Sequence, residues 1–139
     1  MEKVYRLFVI NPGSTSTRVA YYENDREVKG TKLVHPSQEI AKYRTINDQL
    51  PMRRQMVLDY MEEAGIHELD AIVSRGGGGR PIHCGGYAIT PLMAEECGRA
   101  PWPHASNLGV MISIDLMERF HVPGFIYDAP LAEDRKSTR

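Results

Sequence analysis

The stretch from Tyr5 to Tyr22 constrains this chain more than any other. Tyr5-Arg6-Leu7-Phe8-Val9-Ile10 is rich in strand formers and stops at Asn11-Pro12-Gly13, a turn signal. A second strand is predicted from Thr17 to Tyr22, with Val19 and Tyr21 on one face. Glu23-Asn24-Asp25 turns the chain again, and a third strand is predicted around Val28 to Val34. Strands joined by such tight turns fold back on their neighbours, so the chain opens as an antiparallel meander.

Helical signals take over after His35-Pro36. Ser37 followed by Glu39-Ile40-Ala41 suits the cap of a short helix. A longer helix is predicted between Pro51, which suits a first turn, and Gly65, which suits an end. Its apolar stripe is read as Met52, Met56 and Tyr60, widened by Val57, Met61 and Ala64. Asp70-Ala71-Ile72-Val73 reads as a short buried strand leading into Ser74-Arg75 and four glycines. From Ser106 to Phe120 the pattern is helical, and its first turns are apolar nearly all round, as in a buried helix. Pro123-Gly124 stops it, and Phe125-Ile126-Tyr127 makes a last apolar strand ending at Asp128. The order β-β-β-α-β-α-β implies an α/β domain, a mixed β-sheet with flanking helices. In such a sheet ligands gather at the carboxyl ends of parallel strands, where Asn11, Arg75 and Asp128 are expected.

Composition bounds the function classes. A chain of 139 residues, 42% hydrophobic and 25% charged, is one ordinary globular domain. Lys and Arg number 17 against 18 Asp and Glu, so no strong field draws in nucleic acid or anionic lipid. The apolar runs are too short to span a bilayer. Met1-Glu2-Lys3-Val4 does not open a signal peptide, and Cys84 and Cys97 make neither a zinc spacing nor a disulfide framework. A cytoplasmic location is the expectation.

Four places can carry chemistry. Asn11-Pro12-Gly13-Ser14-Thr15-Ser16-Thr17-Arg18 presents backbone N–H groups and four consecutive hydroxyls, the makings of an anion cradle. A plain Ser/Thr-rich turn accounts for the same residues, and no P-loop pattern occurs. Arg75 stands at the mouth of Gly76-Gly77-Gly78-Gly79, where its fork of donors can clamp a carboxylate or phosphoryl group; a solvated loop is the plainer alternative. His104 directly precedes the buried helix and can donate to a ligand oxygen there, although a structural role suffices for it taken alone. Asp128 can hold Mg²⁺ through water, or simply form a turn. His35, His67, His83 and His121 show no metal spacing, and nothing marks Cys84 as a nucleophile.

Leu7-Phe8-Val9-Ile10-Asn11-Pro12-Gly13-Ser14-Thr15-Ser16-Thr17 closely resembles the opening of butyrate kinases, of the acetokinase group of short-chain carboxylate kinases. The resemblance continues in order through Asp48-Gln49-Leu50, Ser74-Arg75-Gly76-Gly77, Arg80-Pro81-Ile82, Gly85-Gly86-Tyr87, His104-Ala105-Ser106-Asn107-Leu108-Gly109 and Phe125-Ile126-Tyr127-Asp128. It covers the chain from Val4 to Asp128. Where the family carries bulky apolar residues, this chain has Gly78 and Gly79.

The resemblance implies one lobe of the ribonuclease H-like architecture shared by acetate and sugar kinases and actin. It implies phosphoryl transfer between ATP and butanoate, with Mg²⁺, giving butanoyl phosphate and ADP. By matching position, Asn11 would contact the transferring phosphoryl group, and Ser14 and Thr15 would line the phosphate hairpin. Arg75 would hold the carboxylate and the developing charge, His104 an equatorial phosphoryl oxygen, and Asp128 would act near Mg²⁺. On this reading residues 1–131 are the N-terminal lobe, 132–139 a polar tail, and the family's C-terminal lobe is not among these residues. The 139-residue chain alone is then expected to have little kinase activity. A non-catalytic phosphate- or partner-binding lobe, or a kinase for acetate, propionate or isobutyrate, are the alternatives. The expected partners are the carboxylate and ATP, with the docking surface for a second lobe favouring self-association.

Overall fold

Alternating burial defines β1 (Arg6–Pro12), in which Phe8, Ile10 and Pro12 are buried and the residues between them half-buried. β2 (Ser16–Glu23) buries Thr17, Val19 and Ala20, whereas β3 (Arg26–Val34) is exposed along most of its length. The computed structural model describes residues 4–75, 86–89 and 105–127. Within them the chain continues through α1 (Ser37–Ile40), a 3-10 turn (Asn47–Gln49), α2 (Leu50–Ala64), β4 (Ala71–Arg75), β5 (Gly86–Ala88), α3 (Ala105–Phe120) and β6 (Gly124–Tyr127).

The strands form a six-stranded sheet in the order β3-β2-β1-β4-β6-β5. The meander β1-β2-β3 is antiparallel, with Phe8 opposite Tyr21 and Asn11 opposite Arg18. β4 joins β1 in parallel, Ile10 opposite Ser74, and β6 joins β4 in parallel, Arg75 opposite Tyr127. β5 runs antiparallel to β6 at the far edge. The carboxyl ends of β1, β4 and β6 therefore lie side by side at one end of a mixed sheet, as the sequence implies.

The core lies between one sheet face and the two long helices. Phe8, Ile10, Val19 and Ile72 from the sheet meet Val57 and Met61 of α2 and Leu108, Ile112 and Leu116 of α3. A smaller cluster of Ile89, Val110 and Ile126 extends it under the β6 side. From Leu108 on, one side of α3 is fully buried, in keeping with its apolar sequence: Leu108, Val110, Ile112, Ser113 and Leu116 have no exposure. Gly65 ends α2 in the left-handed conformation, φ 74°, and the N–H groups of Gly65 and Ile66 close onto Glu62 and Met61.

Several local readings change. Asn11 and Pro12 extend the strand rather than turn it, because both still pair with β2 after the pairing with β4 stops at Ile10. Ser37 does not cap α1: Pro36 holds that position, with no side-chain cap. The fully buried stripe of α2 is Arg53, Val57 and Met61, one position along from the predicted series, and Met52, Met56 and Tyr60 flank it half-buried. An apolar count assigns an arginine to solvent; here each of its three side-chain nitrogens donates to an acceptor inside. β5 and the 3-10 turn were not predicted; both are too short for a periodic signal.

Candidate active site

The hairpin between β1 and β2 is the best-defined part of the site. Gly13 N–H donates to the Ser16 carbonyl at 2.7 Å and closes the turn, leaving Ser14 and Thr15 exposed at its tip. Thr17 points inward and is fully buried, because it shares a face with Val19 in β2. The tip is held from two sides. His35, just beyond β3, donates its backbone N–H to the Thr15 carbonyl at 2.9 Å, and its Nε2 lies 2.8 Å from Thr17 Oγ1.

From beneath comes Arg53. Its Nη1 donates to the Gly13 carbonyl at 2.7 Å, the Ser16 carbonyl at 3.2 Å and Thr17 Oγ1 at 3.3 Å. Nη2 donates to the Ser14 carbonyl at 3.0 Å, and Nε to Gln49 Oε1, one helical turn back, at 3.0 Å. Arg53 has no solvent exposure. Burial lowers its pKa from the ordinary arginine value, yet a guanidinium stays protonated in proteins. His35 is also buried; desolvation, with the nearby Arg53 charge, pushes its pKa down to about 4, so the ring is neutral.

The strand ends converge beside this hairpin. Ile10 lies opposite Ser74, so Asn11 and Arg75 are the next residues on adjacent parallel strands, and Asn11 is half-buried. α3 approaches them closely because residue 109 is glycine: a Cβ there would collide with the Ser74 hydroxyl and sit 3.1 Å from Pro12 Cδ. The amino-terminal half of α3 is thereby set against the carboxyl ends of β1 and β4.

The sequence-predicted residues divide accordingly. The structure brings Asn11, Ser14, Thr15 and the β4 terminus at Arg75 to one end of the sheet. His104 and Asp128, next to α3 and β6 in the chain, lie outside the described residues, as do the four glycines after Arg75. Sequence reasoning missed Arg53, Gln49 and His35. The available signal was an arginine in register with Val57 and Met61, four and eight residues on, with Gln49 four residues before it. Among the described residues no three His, Cys, Asp or Glu side chains cluster as a metal would require. No helix among them is long and apolar enough to cross a membrane. A cavity of about 670 Å³ lined by Arg6, Met61, Asp70 and His121 opens at the opposite end of β1 and β4, remote from the hairpin.

No protein-family model matches the chain. It is 40% identical over 134 residues to butyrate kinase 1 of Clostridium acetobutylicum, a match that covers 94% of this chain and 38% of that protein. Its fold is similar to that of acetate kinase from Entamoeba histolytica, with a TM-score of 0.56 at 15% identity, over 88% of this chain and 34% of the other. An exopolyphosphatase from Cytophaga hutchinsonii shares the fold as well, with a TM-score of 0.57 at 7% identity, over 91% of this chain and 54% of the other. The chain is thus butyrate-kinase-like in sequence and acetate-kinase-like in fold, and corresponds to a partial, N-terminal lobe of the butyrate kinases, about 38% of their length.

Proposed function

We propose that this chain is the phosphoryl- and carboxylate-handling lobe of a butyrate kinase. The observation that carries the reading is the hydroxyl-rich hairpin at the carboxyl end of β1, beside the end of β4, in a chain 40% identical to butyrate kinase 1. In the reaction a carboxylate oxygen of butanoate forms a bond to the γ-phosphorus of ATP, and the bond from that phosphorus to the bridging oxygen breaks. The electron pair leaves with ADP, and no proton has to move, because the carboxylate is already ionised at neutral pH. Such a transfer needs alignment and charge neutralisation more than covalent help.

The chain's own residues take roles that fit those needs. Ser14 and Thr15 hold phosphoryl oxygens at the hairpin tip, and Asn11 contacts the phosphoryl group in transfer. Arg75 clamps the carboxylate and the charge that develops on the transferring group. His104 donates to an equatorial oxygen, and Asp128 would hold a Mg²⁺ ion through water. When bound, that ion neutralises phosphate charge.

The test is a chimera in which residues 1–128 of this chain replace the matching part of the Clostridium acetobutylicum enzyme. Acyl phosphate formation from butyrate and MgATP is expected, and Arg75→Ala in the chimera is expected to lower kcat by at least about a hundredfold. A folded chimera that binds ATP but transfers nothing would remove the catalytic reading and leave a binding lobe. Rates with acetate, propionate and isobutyrate in the same chimera identify the preferred acid.

A further inference from the structure

Arg53 is a buried cation with no use in the roles assigned above. Full burial of an arginine is costly unless an opposite charge compensates it. Its partners among the described residues are all neutral: three hairpin carbonyls, the Thr17 hydroxyl and the Gln49 amide oxygen. Among the described residues no carboxylate pairs with it.

The direction of those carbonyls tells what the arrangement does. The described peptide bonds are all trans, and a trans peptide sets the C=O of one residue opposite to the N–H of the next. With the carbonyls of Gly13 and Ser14 turned down onto the guanidinium, the N–H groups of Ser14 and Thr15 are turned up and away from it. Neither donates to a backbone acceptor among the described residues, and both residues are exposed. The Thr15 carbonyl, held by His35, completes the fixing of the tip. Two successive outward N–H groups above a buried positive charge make an anion nest.

We infer that Arg53 is the positioning residue of the hairpin: it locks the peptide planes at Gly13 and Ser14 so that the next two N–H groups face a phosphoryl anion, and that anion balances its charge. The inference rests on the reading of the hairpin as a phosphoryl site. Arg53 touches no substrate; it acts through the backbone. Gln49 belongs to the same device, since its amide oxygen orients the guanidinium without neutralising it.

Two substitutions in the 139-residue chain separate the lock from the charge, with inorganic phosphate as the probe and backbone-amide NMR as the readout. Arg53→Ala would leave the Gly13 and Ser14 carbonyls without their donor, so Arg53→Lys is used, which keeps the charge and loses the fork. It is expected to leave signals outside 13–17 in place, speed Gly13 amide exchange about tenfold and weaken phosphate about tenfold. Gln49→Glu keeps the fork and pairs the charge; phosphate is expected to weaken about tenfold with Gly13 exchange unchanged. Unchanged exchange in Arg53→Lys overturns the lock, and unchanged phosphate affinity in Gln49→Glu overturns the charge role. If phosphate moves no hairpin signal in the unsubstituted chain, the phosphoryl reading fails, and so does the charge role. Gly13 exchange in Arg53→Lys then still decides the lock.

Discussion

At the scale of single residues the hairpin depends on groups that never reach its surface. His35 is 1% exposed, and its neutral ring sits against Thr17 with Arg53 nearby. Its pKa falls from 6.5 to about 4 on folding, first because burial penalises the imidazolium and then because of the Arg53 charge. Between these values the unfolded chain binds a proton at His35 that the native chain does not, so stability falls as the pH drops from 6.5 towards 4 and levels off below. The loss from this group is about 3 kcal/mol at most. Urea unfolding at pH 7, 6, 5 and 4.5 measures it. His35→Gln is expected to flatten that slope, and an equal slope in the variant would show that other groups carry it.

At the scale of elements, what matters is how closely α3 can approach the strand ends. Gly109 faces the Ser74 hydroxyl and the Pro12 ring, and any Cβ there meets both. Gly109→Ala gains helix propensity, yet the collision forces α3 off β1 and β4, so the net effect is a loss of about 1–3 kcal/mol. Chemical denaturation checks the sign: a stabilised variant would mean that the contact yields cheaply. Ser74→Ala is the companion variant. The Ser74 hydroxyl is buried and finds no partner among the described residues, so its removal costs little and is expected to relieve part of the Gly109→Ala penalty.

At the scale of the whole molecule, the sheet order places the meander on one side of β1 and the parallel strands on the other. The line between β1 and β4 is where the strand order reverses direction along the chain, and crevices for ligands form at such points. The chain spans about 38% of the butyrate kinase that it matches. On the proposed reading the rest of that length contributes the other wall of the crevice. The 139-residue chain alone is then expected to trap no butyryl hydroxamate from butyrate, MgATP and hydroxylamine. Steady hydroxamate formation by the purified chain would show that one lobe suffices.

Much of this was legible in the linear chain, for identifiable reasons. Strand formers against turn residues located the meander, and Pro51 and Gly65 bracketed α2, because these preferences are local and act within a few residues. The same locality made the strand-end positions of Asn11 and Arg75 readable. Arg53 was not readable, since what buries it is a set of carbonyls about 40 residues earlier, brought beneath it only when α2 packs on the sheet. Nor was the collision at residue 109, which involves Pro12 and Ser74 from two different strands. The sequence by itself determined the meander, the two long helices, β4 and β6, though not β5 or the 3-10 turn. Only the tertiary structure decided which polar side chains are taken out of water, because burial and its compensation are properties of residues that meet across the fold.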